Sequence, residues 1–109
     1  MKGLIMTHDE IKELINRRRR QILIHSCIYY RLNSNIWTDH QYDEKARELQ
    51  KLQQQYPEIA AECIYADAFK DFTETTSGFN LPIHDPDVVR KAQRLLEYHQ
   101  SRNKHVVGH

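Results

Sequence analysis

The sequence contains few of the residues that interrupt helices or cross-link a small domain. Its 109 residues include three glycines, three prolines and two cysteines. Cys27 and Cys63 do not belong to a Cys-x-x-Cys pair, which argues against a disulfide framework or a four-ligand zinc site. We therefore expect two buried free thiols. The scarcity of glycine and proline also leaves room for long helices.

Long apolar runs and a strong net charge are lacking as well. No stretch approaches the roughly 18 apolar residues of a membrane-spanning helix, and the N-terminus has too short an apolar run for a signal peptide. The 16 basic and 15 acidic residues leave a formal net charge of +1. Such a chain has no strong long-range field to attract nucleic acid or membrane, so any binding of that kind must be local. We expect a cytoplasmic protein that does not bind membranes.

Length and hydrophobic content predict a single domain over residues 1–109. The hydrophobic fraction is 39%, below the usual value of about 45–50%. A domain of this size has a limited core, so its helices should each bury one apolar stripe. A homodimer could supply burial that a single copy lacks.

Two capping boxes predict where the long helices begin. Thr7 with Glu10 predicts a first helix that runs from near His8 to about Leu32, and Thr38 with Gln41 predicts a second helix. Apolar residues recur at helical spacing after both boxes. Polar residues between the two helices should form a tight turn, which holds them antiparallel.

The C-terminal half predicts two further helices and a loop. Residues 59–69 are rich in alanine and apolar side chains and suit a short buried helix. Residues 71–85 contain glycine, proline and several hydroxyl residues and should form an irregular loop. Asp85 as N-cap and Pro86 at the first helical position open a last helix, which should fade after Ser101.

The expected fold class is therefore all-α. It is a small helical domain with an antiparallel helical hairpin over residues 8–56 and two further helices with a loop over residues 57–101. The polar residues 102–109 should form a flexible tail.

The segment YYRLNSNIWTDHQYDEKAREL, residues 29–49, carries the most chemistry. In the second helix Asp39, Tyr42 and Asp43 stand at positions i, i+3 and i+4 and project from one face. Tyr29 and Tyr30, at the end of the first helix, could meet that face. Two aromatic faces and two carboxylates suit a ligand with a flat cationic ring and a ribose, because rings stack and carboxylates accept hydroxyl hydrogen bonds.

This segment resembles the small N-terminal helical domain, called Ia, of bacterial NAD-dependent DNA ligases. The family pattern is Tyr followed by His or Tyr, a loop, Asp-x-x-Tyr-Asp and a charged helix that ends in Leu-x-x-Leu. Tyr29, Tyr30, Asp39, Tyr42 and Asp43 match the pattern. The residues that continue the register are Glu48, Leu49, Leu52 and Pro57.

The resemblance, which covers residues 10–60, implies a nicotinamide nucleotide as ligand, either NAD or nicotinamide mononucleotide. It implies that Tyr29 and Tyr42 contact the nicotinamide ring and that Tyr30 lies near the phosphate. Asp39 and Asp43 would bind the ribose and the cationic ring.

The chain also departs from the ligase pattern. A ligase needs a Lys-x-Asp-Gly nucleophile, and no lysine of this sequence is followed by Asp-Gly at that spacing. We therefore expect no ligase activity from this chain on its own. The loop at residues 33–37 lacks the family's usual proline, and the residues after Pro57 do not resemble a ligase continuation. The resemblance then implies a freestanding, phage-type module that acts in trans with a ligase or another protein, or that captures a nucleotide.

Simpler interpretations exist for the same residues. The tyrosines could be core residues with hydrated hydroxyls, Asp39 could complement the helix dipole, and Asp43 could be a solvated charge. His25 suits a satisfied core position. Capping already explains the acidic residues beside His84, so a metal site is not expected there.

Four consecutive arginines at residues 17–20 are a second candidate site. Successive side chains on a helix point in different directions, so they cannot all contact one partner. Arg18 and Arg20 are candidate phosphate contacts, to the ligand or to DNA, because guanidinium binds phosphate well. Otherwise the run is a solvated face with one or two arginines paired to acidic neighbours. The competing class of function is a helical interaction protein that binds protein or DNA, without a nucleotide, through residues 17–20 or the loop at 71–85.

Overall fold

The fold is all-α, as predicted. The computed structural model describes residues 6–73 and 75–108, and no strand occurs in these ranges. The helices are α1 (His8–Tyr30), α2 (Asp39–Gln55), α3 (Pro57–Glu62), α4 (Ala66–Phe69) and α5 (Pro86–Gly108), and a 3₁₀ turn (Gly78–Asn80) lies between α4 and α5.

Both predicted capping boxes are present. The Thr7 hydroxyl accepts a hydrogen bond from the Glu10 amide at 3.1 Å, and the Glu10 carboxylate accepts one from the Thr7 amide at 2.8 Å. Thr38 and Gln41 make the same reciprocal pair at the start of α2. Each cap satisfies two amides that the helix itself leaves unpaired and contributes about 1 kcal/mol. Both helices accordingly begin where the sequence predicts.

Helices α1 and α2 form the predicted antiparallel hairpin. Ser26, near the end of α1, shares a hydrogen bond with Tyr42, near the start of α2. Arg18, earlier in α1, pairs with Glu48, later in α2. This opposite order of contacts along the two helices defines their antiparallel arrangement.

Helix α1 ends at Tyr30, two residues before the predicted end. The Leu32 amide donates to the Cys27 carbonyl, the Ser34 amide donates to the Ile28 carbonyl, and Asn33 takes a φ of 55°. Asparagine tolerates this left-handed conformation, which ends helices.

The core lies where α1 meets α2 and α5. It contains the fully buried Ile15 and Ile22 of α1, Leu49 of α2 and Ala92 of α5. Cys27 and Cys63 are both buried free thiols, as predicted. The apolar stripes of three helices therefore meet in one cluster, which fixes the geometry of the hairpin.

The single short helix predicted over residues 59–69 is instead two helices, α3 and α4. The break contains Tyr65, with a φ of 57°. Side chains of α1 satisfy its backbone: Asn16 Oδ1 accepts from the Ile64 amide at 2.9 Å, and Arg19 Nη1 donates to the Ile64 carbonyl at 2.8 Å. These distant partners replace the helical hydrogen bonds that local propensity favours.

Helix α5 begins as predicted but does not fade after Ser101. Asp85 accepts a hydrogen bond from the Asp87 amide at 2.9 Å, and Pro86 is the first helical residue. The helix continues to Gly108. The expected end near Ser101 was wrong because neither glycine nor proline interrupts the segment before Gly108. Within the described residues, no helix is long and apolar enough to cross a membrane.

Candidate functional site

A cavity of about 460 Å³ opens at the end of the hairpin where α1 meets the start of α2. Its walls are the last two turns of α1, the connection at residues 35–38, the first turn of α2 and the loop at residues 75–78. Its size falls within the range of about 300–1,000 Å³ that small-molecule sites occupy.

All five residues predicted to bind the nicotinamide nucleotide line this cavity. Tyr29 and Tyr30 are 55% and 40% exposed, and their rings meet edge to face with centroids 4.8 Å apart. Asp39, Tyr42 and Asp43 lie across from them on α2. The tyrosines at the end of α1 are therefore surface residues of a cleft and not core residues, because core side chains would be excluded from solvent.

The two aspartates have carboxylates that are available to a ligand. Neither Asp39 nor Asp43 makes a side-chain hydrogen bond or an ion pair within the described part of the chain. Asp39 is not needed to cap α2, because the Thr38 hydroxyl already performs that role. Asp39 still complements the positive end of the helix dipole. This interaction explains why an aspartate is tolerated at the start of α2, but it does not explain why the side chain lines a cavity.

Tyr42 is held in place by a hydrogen bond inside the hairpin. Its hydroxyl lies 2.8 Å from the Ser26 hydroxyl. Burial raises the pKa of Tyr42 above its usual value, so the phenol is neutral and its ring is a fixed apolar wall. A fixed ring costs less entropy when it stacks on a ligand than a mobile one would.

A stacked pair of rings adds to the cavity and was not predicted. His25 and Trp37 lie parallel, with centroids 3.7 Å apart and an angle of 5° between the ring planes. Burial lowers the pKa of His25 to about 4, so the imidazole is neutral at pH 7. Its Nδ1 is buried and has no hydrogen-bond partner among the described residues. The expectation of a satisfied core histidine was therefore wrong.

Trp37 could have been identified from the sequence as a site residue. It precedes the capping Thr38 by one position, in the short turn that leads to the predicted Asp39. His25 lies one helical turn before Tyr29, which places it on the same side of α1. The signal for this pair in the sequence was an aromatic ring on each side of the turn between α1 and α2, His25 before it and Trp37 at its end.

The loop at residues 75–78 forms the fourth wall of the cavity. Its sequence lacks the glycine spacing of a phosphate-binding loop. Gly78 packs so closely against the hairpin that an added Cβ would lie 2.2 Å from Ser26 Oγ and 2.7 Å from the Tyr42 hydroxyl. The Ser77 hydroxyl donates to the Tyr30 hydroxyl at 3.3 Å, and the Phe79 ring meets the Tyr30 ring at 5.7 Å. The predicted irregular loop thus closes the cavity, and glycine is required at the point of contact.

Arg18 and Arg20, the candidate phosphate contacts, do not line the cavity. The Arg18 guanidinium is paired with Glu48, with Nη2 to Oε2 and Nε to Oε1 distances of 3.1 Å. Arg20 is exposed, and its side chain makes no hydrogen bond among the described residues. The structure therefore does not bring either arginine to the predicted ligand, and their contact with phosphate stays a prediction for other partners.

Arg19, in the same run, is a structural residue. It is 1% exposed, its Nε donates to Gln53 Oε1 at 2.8 Å, and its guanidinium lies 5.7 Å from the Phe69 ring centre. Together with its bond to the Ile64 carbonyl, these contacts tie α1 to α2 and to the break between α3 and α4. The run at residues 17–20 is thus divided among different surroundings, as its helical geometry predicts.

The residues beside His84 have partners of their own. His84 Nδ1 lies 3.4 Å from an Arg31 nitrogen, and Asp87 pairs with Arg90 at 2.6 Å. Among the described residues, no group of three His, Cys, Asp or Glu side chains could hold a metal ion.

The fold and the cavity together define a small all-α module with an aromatic and acidic cavity at one end of its helical hairpin. Residues 8–62 match the model of the DNA ligase-like, N-terminal NAD+-binding domain. This match covers half of the chain, and the chain belongs to that family.

Bacterial DNA ligases are among the proteins to which this chain is similar. The chain is 43% identical over 54 residues to the DNA ligase of Coprothermobacter proteolyticus, which covers 50% of this chain and 8% of that ligase. It is 40% identical over 50 residues to the enzyme of Thermotoga petrophila, or 46% of this chain and 7% of that enzyme. It is 36% identical over 74 residues to the DNA ligase of Bacteroides fragilis, or 63% of this chain and 11% of that ligase. The chain therefore spans only a small part of these ligases, and no solved structure matches it.

Proposed function

We propose that this chain binds a nicotinamide nucleotide, either nicotinamide mononucleotide or the corresponding half of NAD, in the cavity between α1 and α2. The observation that carries the proposal is the meeting of Tyr29 and Tyr30 with Asp39, Tyr42 and Asp43 around one cavity. The rings would stack on the nicotinamide, and the unpaired carboxylates would accept ribose hydroxyl groups and face the ring's positive charge.

The residues present fit such a ligand on independent grounds. The two aspartates have no protein partner in the described ranges, and His25 carries a buried ring nitrogen without one. Buried polar groups normally have hydrogen-bond partners, so an unsatisfied one beside a cavity is consistent with a ligand partner.

On its own the chain is not an enzyme in this proposal. Its sequence lacks Lys-x-Asp-Gly, so the attack on the adenylyl phosphate would require a lysine of another protein. The module would hold nicotinamide mononucleotide, the leaving group, in line for that attack, which is a positioning role. A freestanding phage-type accessory protein that captures a nucleotide in the cytoplasm would use the same pocket without chemistry.

The competing proposal, a helical interaction protein without a nucleotide, has less support. Of the arginines at residues 17–20, Arg19 is buried and Arg18 is paired with Glu48. The loop at residues 75–78 faces the cavity. Replacing Arg17 and Arg20, both exposed, would abolish binding of protein or DNA through this surface and leave nucleotide binding unchanged.

Calorimetric titration with nicotinamide mononucleotide, NAD and AMP tests the proposed function. We expect the two nicotinamide ligands to bind and AMP not to bind, since the cavity residues match only the nicotinamide half. Asp43→Asn and Tyr42→Ala should each weaken binding at least tenfold, while Asp67→Asn, an exposed aspartate remote from the cavity lining, should leave it unchanged. Absence of binding at millimolar ligand in the folded wild-type protein would refute the proposal.

A further inference from the structure

Phe79 is an exposed aromatic residue beside the cavity. It is 59% exposed, and its ring meets the Tyr30 ring with centroids 5.7 Å apart and an angle of 71° between the planes. Aromatic rings favour such an edge-to-face arrangement. Phe79 does not itself line the cavity, whereas Tyr30 does. An effect of Phe79 on a ligand in the cavity therefore has to pass through Tyr30.

Ser77, two residues before Phe79, contacts the other end of the same side chain. Its hydroxyl donates to the Tyr30 hydroxyl at 3.3 Å and accepts a hydrogen bond from the Phe79 amide at 3.1 Å. The Tyr30 side chain is thus held at its hydroxyl by Ser77 and at its ring by Phe79. Both contacts come from one short segment, residues 77–79.

Gly78, the middle residue of this segment, fixes the segment to the hairpin. A Cβ on Gly78 would lie 2.2 Å from Ser26 Oγ on α1 and 2.7 Å from the Tyr42 hydroxyl on α2. The backbone of the segment therefore lies directly against both helices. Ser77 and Phe79 hold Tyr30 from a base that is itself packed in place.

Tyr30 needs such contacts if it is to keep one orientation. It is the last residue of α1 and is 40% exposed. An exposed side chain samples several rotamers, and a ligand that requires one of them loses affinity by immobilising the side chain. For one side chain this loss is roughly twofold to tenfold in affinity. A side chain that the protein already holds avoids the loss.

From this arrangement we propose that Phe79 is a positioning residue, which holds the Tyr30 ring in the orientation that the ligand of the cavity requires. The inference rests on the proposed function, because Tyr30 is one of the residues proposed to contact the nucleotide. It goes further because residues 77–79 lie outside residues 8–62, which match the family. The C-terminal half of this chain then completes the ligand site.

Calorimetric titration of Phe79→Ala with nicotinamide mononucleotide tests the inference. The substitution should weaken binding by roughly twofold to tenfold, and Phe79→Tyr, which keeps the ring, should bind as the wild type does. The urea midpoint of Phe79→Ala should stay close to that of the wild type, because the ring is mostly exposed. Tyr98→Ala is the matched control: it removes a ring that is 60% exposed, on α5 and outside the cavity lining, and should leave the affinity unchanged. Equal affinities of Phe79→Ala and the wild type would overturn the inference and leave the proposed function intact.

A Tyr30→Ala background distinguishes positioning through Tyr30 from a general effect on the fold. In this background Phe79→Ala should cause no further loss of affinity, because the ring that Phe79 holds is absent. The same loss in both backgrounds would overturn the inference, since Phe79 would then act on the ligand by another route.

The orientation of Tyr30 can also be measured without a ligand. In protein labelled at tyrosine, NMR couplings that report the χ1 angle should show one rotamer for Tyr30 in the wild type and an average over rotamers in Phe79→Ala. Averaging in the wild type would overturn the inference even where the nucleotide binds. Failure of the folded wild-type protein to bind any nicotinamide ligand would overturn the proposed function and this inference together.

Discussion

The contact of Gly78 with the hairpin predicts a measurable coupling between Gly78 and Ser26. In Gly78→Ala the new Cβ would lie 2.2 Å from Ser26 Oγ and 2.8 Å from Ser26 Cβ. Such distances force either the loop or the Ser26 side chain to move. Overpacking of this kind costs about 1–3 kcal/mol, and movement of the loop would also open the cavity wall.

Ser26→Ala should be destabilising for a different reason. It removes the 2.8 Å hydrogen bond to Tyr42, which is worth about 1 kcal/mol. The same substitution removes the oxygen that the methyl group introduced by Gly78→Ala would meet most closely. The double variant should therefore be more stable than the sum of the single effects predicts, by about 1 kcal/mol, although Ser26 Cβ keeps the rescue partial.

Urea unfolding followed by circular dichroism measures the free energies of unfolding for the four proteins of this cycle. Ser101→Ala, at an exposed position of α5, provides a control that should add to Gly78→Ala within about 0.5 kcal/mol. Strictly additive effects of Gly78→Ala and Ser26→Ala would refute the reasoning, because they would mean that the loop does not pack on Ser26.

Two further predictions concern stability. The free energy of unfolding should fall by about 2–3 kcal/mol as pH drops from 6.5 towards 4. Burial lowers the pKa of His25 in the folded protein. In this pH range His25 therefore binds a proton in the unfolded protein but not in the folded one. His25→Phe should flatten this part of the urea-measured pH profile, and an unchanged profile would rule out His25 as its source. Arg19→Met should lower the urea-measured free energy of unfolding by about 2–4 kcal/mol by leaving the Ile64 carbonyl and Gln53 Oε1 unpaired. Arg17→Met, at an exposed position, should change it by less than about 0.5 kcal/mol; equal effects would contradict a structural role for Arg19.

Local sequence signals account for much of the fold. The starts of α1 and α2 follow from capping boxes, in which each partner is three residues from the other. The placement of Asp39, Tyr42 and Asp43 on one face of α2 follows from helical periodicity alone. The break between α3 and α4 does not, because Asn16 and Arg19 stabilise it from far away in sequence.

The half of the cavity that α1 and α2 form could also be predicted from local sequence. The residues from α1 and α2 lie close in sequence and match a family pattern. The wall at residues 75–78 depends on a contact between Gly78 and Ser26, which are distant in sequence, and no local period encodes it. The parallel stack of His25 on Trp37 likewise requires the geometry of the turn, which is set by Asn33 in its left-handed conformation.

The position of Trp37, stacked on His25 in the cavity, makes ligand binding measurable by intrinsic tryptophan fluorescence. Trp37 is the only tryptophan in the sequence, and it lines the cavity. Excited indole transfers charge to a pyridinium ring in contact with it, so a nicotinamide ligand should quench all of the tryptophan emission and not a fraction of it. Occupancy of this one cavity can therefore be followed by intrinsic fluorescence, without a label and without a background from other tryptophans.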